Sequence, residues 1–374
     1  MTTTDIAAAF EQQQKITDSA AGQGTLSALV QAYSLGVMQQ PRPDFSSIQN
    51  DKVRALQGGI QRELDQAAEN ARTYLYVVLP ASHAVLSKVE NYFTMQGAIT
   101  EILKEVDDPR QLAGLLRALR EEVGGFMDAA KGLTSDMNKM VSAFSDNKKH
   151  FADYAKDLNE AVSGQEGAVA DLQRQLDDVN ARITANTVGA TVSGAAILGG
   201  TAMILIGCCT SIFGGVGVGV AIGGAALLLG GTGGQIGTGI ALANLYDEKR
   251  DLLARKQRME DGVKLLTTCS AGLDDLGKQA GAVAGAAQNV TNGWTFLKGS
   301  LNSVADNIEK AGRTEARALR DFYLRSAEKS VPGLLEKVHG VQRGLSGVQP
   351  VTQPNTHTGD LIREALKKTP QAVG

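Results

Sequence analysis

The sequence predicts an all-α protein: an elongated bundle of about five long helices, with a hydrophobic head inserted between two of them that run antiparallel. Three observations predict it. The first is proline placement, at 41, 43, 80, 109, 332, 350, 354 and 370 only, so that nothing interrupts the 222 residues from Arg110 to Val331. A proline inside a helix removes one hydrogen bond and clashes with the preceding turn, at a cost of about 3 kcal/mol. The second is a spacing of three and four between apolar residues over most of the chain. The third is one segment of 64 residues, Ile183 to Tyr246, without a single Asp, Glu, Lys, Arg or His.

The elements follow in order. An N-terminal stripe through Ile6, Phe10, Leu26, Leu29, Tyr33 and Val37 ends at the turn PRPDFSS. A second helical segment, about 46–107, contains ARTYLYVVLPASHAVL and invites a kink at Pro80. DDPR then reads as a helix start, with Asp107 or Asp108 as cap and Pro109 in the first turn. Phe151, Tyr154, Leu158, Ala161, Ala168, Leu172, Leu176, Val179 and Ile183 make the stripe that enters the uncharged block. Leu245, Leu252, Met259, Leu266 and Leu273 recur every seven residues on leaving it, with Val263 and Leu276 on the same seam. A last stripe runs through Trp294, Leu297, Leu301, Val304, Ile308, Leu319 and Phe322 to Pro332. These boundaries give a tail bundle in two parts, 1–182 and 247–346, a head at 183–246, and a flexible C-terminal segment, 347–374, with a short helix about Asp360 to Lys368.

The head has room for two membrane spans, since a crossing helix needs about 20 mainly apolar residues. One span is Val188 to Cys209 and the other Val216 to Ala243, joined by the uncharged TSIFGG, so both ends of the block lie on one side. The block holds 17 of the chain's 43 glycines. Gly215, Gly219 and Gly223 form a tandem GxxxG ridge, and Gly230 and Gly234 repeat the spacing, as small residues do where helices pack closely in lipid. Glycine also weakens any single regular structure. The same segment is therefore compatible with a short β-tongue or broken helices in water and with extended helices in lipid. Two further readings of the block stand beside this one: a constitutive transmembrane hairpin anchoring a coiled-coil scaffold, and a glycine-rich core that never leaves the protein. Sixty-four residues without a charge is long for such a core.

Composition excludes other classes. With 37 Lys+Arg against 40 Asp+Glu the net charge is −3, and no clustered positive face is available to neutralise nucleic-acid phosphates. Three cysteines, Cys208, Cys209 and Cys269, make no disulfide framework. His83, His150, His339 and His357 are far apart, which leaves no metal site. Gly277-Lys278 is followed by Gln279 rather than Ser or Thr, so there is no phosphate-binding loop. The expectation is a protein without catalytic residues, cofactor or metal, and not an enzyme. MTTTDIAAAFEQQQK lacks the basic and apolar regions of a Sec-type signal peptide.

The two-span block between two long helical stripes resembles the ClyA-type α-helical pore-forming toxins, and in particular the tripartite haemolysin BL and non-haemolytic enterotoxin group. In that family three soluble proteins, A, B and C, assemble on a membrane, and one of them carries two consecutive apolar spans. The resemblance implies a B-type subunit of a haemolysin or cytolysin, secreted and then inserted into a target-cell membrane. Its implied partners are A- and C-type subunits and further copies of itself in an oligomeric pore. The residues expected to insert are Ile197, Leu198, Met203, Ile204, Leu205 and Ile206 in the first span, and Ile222, Leu227, Leu228 and Leu229 in the second. The glycines named above are the packing candidates.

Overall fold

The computed structural model describes residues 3–38, 51–162, 168–192, 202–206, 225–229, 235–255 and 261–346, with Asp360 and Arg363 beyond them. Every described element except one pair of short strands is helical. Five helices have 34 residues or more: α1 (Thr3–Met38), α2 to α3 (Asp51–Thr73 and Leu79–Glu105, joined without a break), α4 (Pro109–Val162), α7 (Asp261–Lys310) and α8 (Arg313–Ser346). The shorter α5 (Ala168–Val192) and α6 (Gln235–Arg255) flank the head. The all-α bundle expected from the sequence is the fold.

The start of α4 follows from its first residues. Asp108 accepts the backbone N–H of Arg110 on Oδ1 at 3.0 Å, and its carbonyl takes that of Leu112 at 3.0 Å. Pro109 fills the position whose N–H a helix leaves unused. From there the 54 residues of α4 rise about 80 Å.

Proline acts differently at two other places. Before Pro80 the helix widens into a π-turn, Tyr74–Val78, closed by the Leu79 N–H on the Tyr74 carbonyl. The extra residue in the turn absorbs the clash of the proline ring with the preceding carbonyl, so α2 and α3 stay continuous. Pro332 was expected to end the last helix, yet α8 runs through it to Ser346. Pro332 and Glu328, whose carbonyl loses its donor, both lie on the exposed side, where water replaces the missing bond. The break in this stripe comes earlier, at Ala311 and Gly312, so that Trp294 to Ile308 and Leu319 to Phe322 belong to two helices. The PRPDFSS turn lies outside the described residues.

The chain forms two compact units. The first comprises Met1–Gly24, Pro80–Asp136 and Ala282–Leu345. Its centre is aromatic: Trp294 is fully buried, with Tyr92 at 5.0 Å and Phe126 at 5.5 Å between ring centroids in tilted or edge-on geometry. Gly293, beside Trp294, lets α7 meet α1, since a Cβ there would stand 2.4 Å from Ile16 Cγ1. A polar seam crosses the same unit. Gln13 donates to the Tyr92 hydroxyl at 3.0 Å and Gln96 to that of Tyr323 at 3.2 Å. Burial pushes both phenols up, Tyr323 to about 12, so they remain neutral. Trp294→Ala is expected to cost about 3–5 kcal/mol, because it empties the largest buried side chain of the cluster. Urea unfolding followed by far-UV circular dichroism reads this, and a loss below about 1 kcal/mol would mean that the aromatic cluster does not organise the unit.

The second unit comprises Thr25–Leu79, Met137–Gly281 and Ser346–Gly374. In it α4 and α7 run antiparallel, with Phe144 opposite Gly277 and Lys148 bonded to Asp274 at 2.5 Å. Burial raises the Asp274 carboxyl, but the Lys148 and Lys278 ammonium groups together hold it below its usual value. Tyr74 donates to the Ser27 carbonyl at 2.6 Å, and Gly59 admits the Tyr154 hydroxyl where a Cβ would stand 2.3 Å from it. The seam entering the head is buried as expected at Phe151, Leu158, Leu172, Leu176, Val179 and Ile183. So is the seam leaving it, at Leu245, Val263, Leu266, Leu273 and Leu276.

Candidate functional site

The uncharged block is entered and left by helix. α5 carries the chain to Val192 and α6 takes it up again at Gln235. Between them, β1 (Ala202–Ile206) pairs antiparallel with β2 (Ala225–Leu229). The register sets Met203 opposite Leu228, Ile204 opposite Leu227 and Leu205 opposite Ala226. All ten strand residues are apolar: AMILI and AALLL. A run of Ile, Leu and Met that is too short for a stable helix between glycines suits a strand, where each backbone group finds a partner across the ladder.

The ladder brings together seven of the ten residues expected to insert: Met203, Ile204, Leu205 and Ile206 on one strand, Leu227, Leu228 and Leu229 on the other. Ile197, Leu198 and Ile222 lie outside the described residues, as do Gly215, Gly219, Gly223, Gly230 and Gly234. Among the described residues no helix is long and apolar enough to cross a membrane. Each sequence-defined span is divided in this form: Val188 to Cys209 holds the end of α5 and β1, and Val216 to Ala243 holds β2 and the start of α6.

Below the ladder, α5 and α6 pack antiparallel and form a neck. Arg182 is the last charged residue before the block, and it grips Glu248 with two bonds, Nη1 at 3.0 Å and Nη2 at 2.5 Å. That hydrogen-bonded carboxylate raises the Arg182 pKa above the ordinary guanidinium value. Two residues earlier on α5, Asn180 accepts from Lys249 at 3.1 Å. Asp247, the first charged residue after the block, takes Arg250 at 3.4 Å and also Arg363 of the C-terminal segment. Arg363 donates in addition to Asn244 at 3.2 Å. Half-exposed pairs such as Arg182 with Glu248 contribute about 0.2–1 kcal/mol each, so the neck is specific in register and modest in strength. Sequence reasoning passed over these residues. The available signal was positional: charge returns on both sides of the block at the point where the two helices meet.

Among the described residues no group of His, Cys, Asp and Glu is arranged to hold a metal ion. What the site offers is a short ladder of ten apolar residues, on two helices joined by a few polar links.

Comparisons with known proteins place this geometry. Residues 11–186 match the family model described as Bacillus haemolytic enterotoxin (HBL). No curated protein sequence matches the chain. In fold it is similar to soluble AhlB of the tripartite alpha-pore forming toxin AHL from Aeromonas hydrophila. The identity is 24%, the TM-score 0.81, and the match covers 94% of this chain and 99% of that one. It is also similar to soluble SmhB of the tripartite toxin Smh from Serratia marcescens, with 20% identity, a TM-score of 0.81, and coverage of 96% and 99%. The AhlB pore from Aeromonas hydrophila matches with 23% identity and coverage of 91% and 100%, and there the TM-score is 0.60. The resemblance read from the sequence thus holds in fold, and the conformation is nearer to the soluble forms.

Proposed function

We propose that this chain is the B-type, bilayer-spanning subunit of a tripartite α-pore-forming toxin. It leaves the producing cell as a soluble protein with its head folded, meets a target-cell membrane, and extends residues 183–246 into a hairpin of two helices. Copies then assemble into a ring together with A- and C-type subunits, with the GxxxG ridge of Gly215, Gly219 and Gly223 against neighbouring hairpins. The protein has no catalytic role.

One observation carries the reading: 64 uncharged residues are interrupted by a five-residue ladder held between two antiparallel helices. Five residues in a strand cover about 17 Å, against a hydrocarbon core of about 30 Å. The ladder is too short to cross as it stands. Redrawn as helices, each half of the block supplies the 20 residues or so that a crossing needs, with every backbone group bonded internally. Transfer of apolar surface from water contributes about 25 cal/mol per Å², which favours the extended form once lipid is present. The lower similarity to the AhlB pore than to soluble AhlB supports a change of this size.

Release of a trapped dye from phospholipid vesicles tests the proposal. Protein purified without detergent is expected to release dye, most strongly when the products of neighbouring genes are added. A protein that leaves buffer for the producing cell's membranes would instead be an anchored scaffold. One that stays in buffer and releases nothing under any combination would overturn the pore-forming reading.

A further inference from the structure

The neck contains a buried cation with too few partners. Lys249 is 2% exposed and Asn180, facing it from α5, is 4% exposed. Among the described residues the ammonium meets one acceptor, the neutral Oδ1 of Asn180 at 3.1 Å. Among the described residues the other end of that amide, Nδ2, has no partner. An ammonium carries three donors, and its removal from water is tolerated when a counter-charge and further acceptors replace the hydration shell. The carboxylates around the neck are engaged elsewhere. Glu248 is taken by Arg182, Asp247 by Arg250 and Arg363, and Asp251 by Arg250.

Lys249 also stands three residues beyond the end of the uncharged block. With the hairpin extended, that position lies at the headgroup level, where a lysine stem reaches water and its ammonium is hydrated. The cost therefore falls on the folded-back form and disappears in the extended one. We infer that Lys249 and Asn180 poise the neck: the uncompensated ammonium penalises the closed pairing of α5 and α6, and its return to water favours opening. This inference rests on the proposed pore-forming reading for its role. The half-exposed pair of Arg182 with Glu248, which joins α5 to α6, holds the neck closed against it.

Two variants of opposite chemistry test it in the full-length protein. Asn180→Asp supplies the missing counter-charge, and Lys249→Met removes the charge while keeping most of the stem. Both are expected to raise the thermal midpoint by a few degrees, to slow amide exchange in peptides covering 180–192 and 235–249, and to slow vesicle dye release at least tenfold. A residue with a merely structural role would lose stability on substitution, so a gain in stability with a loss of release is the distinguishing result. An unchanged or lowered midpoint for Asn180→Asp overturns the inference, even if Lys249→Met fails to fold. A raised midpoint with unchanged release also overturns it. If the wild type releases no dye with or without partners, the pore-forming reading falls by itself. The exchange rates then decide the poise: slower exchange in both variants upholds it, and equal rates remove it.

Discussion

Leu205→Asp is expected to reduce vesicle dye release at least a hundredfold while the far-UV circular dichroism of the soluble protein stays that of a helical bundle. Leu205 falls within the proposed first span, some six or seven residues from its midpoint, hence about 10 Å from the middle of the bilayer if the span is helical. An aspartate at such depth costs on the order of 1–3 kcal/mol in each subunit. In a ring the penalty recurs in every copy, so even the lower figure suppresses assembly strongly. The soluble fold is insulated from the change because its cores lie in the helices, around Trp294 in one unit and along the Phe151 to Ile183 seam in the other. Leu205→Ile is the control, with release expected close to wild type. Undiminished release from Leu205→Asp would mean that this part of the block never enters lipid.

The contrast between the periodic helical stripes and the uncharged block also governs what could be read from the sequence. The helices were legible because a period of three and four, sustained over tens of residues without proline, has one regular solution. A cap at Asp107 or Asp108 was equally plain, since an acidic residue before proline satisfies the first free donors of a helix, and the structure gives the role to Asp108. Pro80 and Pro332 were harder. A single proline announces a lost hydrogen bond, and whether the helix stops depends on what replaces that bond: a π-turn at Tyr74–Val78 in one place, solvent at Glu328 in the other. The break at Ala311 and Gly312 interrupts a stripe that continues in phase on both sides, so periodicity alone does not reveal it.

In the head, composition identified the segment and its apolar residues but left its conformation open, because glycine at 17 of 64 positions removes the preference that would choose one. The strands Ala202–Ile206 and Ala225–Leu229 are paired by tertiary placement, with α5 and α6 bringing both halves of the block together. The neck was illegible for a related reason. Nothing in the sequence says that Asn180 faces Lys249, or that Arg363 returns across more than a hundred residues to Asp247.

A reversible lock on the ladder should switch the proposed activity off and on. In an antiparallel pair, opposed residues alternate between Cα separations of about 5.5 and 4.5 Å, both within the range a disulfide accepts. Met203→Cys with Leu228→Cys, and separately Ile204→Cys with Leu227→Cys, therefore place two thiols at bonding distance in the resting form. Cys208, Cys209 and Cys269 are first replaced by serine so that no other pairing competes. The proposed helical hairpin cannot keep these pairs together. With its turn centred between Thr210 and Gly215, Ile204 lies about eight residues before the centre and Leu227 about fourteen after it, an axial offset of about 9 Å. Helix axes stand a further 8–10 Å apart, so the Cα separation exceeds what a disulfide spans. Oxidised protein is accordingly expected to bind vesicles without releasing dye, and a reductant such as dithiothreitol to restore release to the level of the cysteine-free protein. Mass spectrometry of the oxidised form verifies the bond. Equal release before and after reduction would show that the strands persist in the active state, and with that the conversion of ladder to helices would have to be abandoned while membrane binding itself could stand.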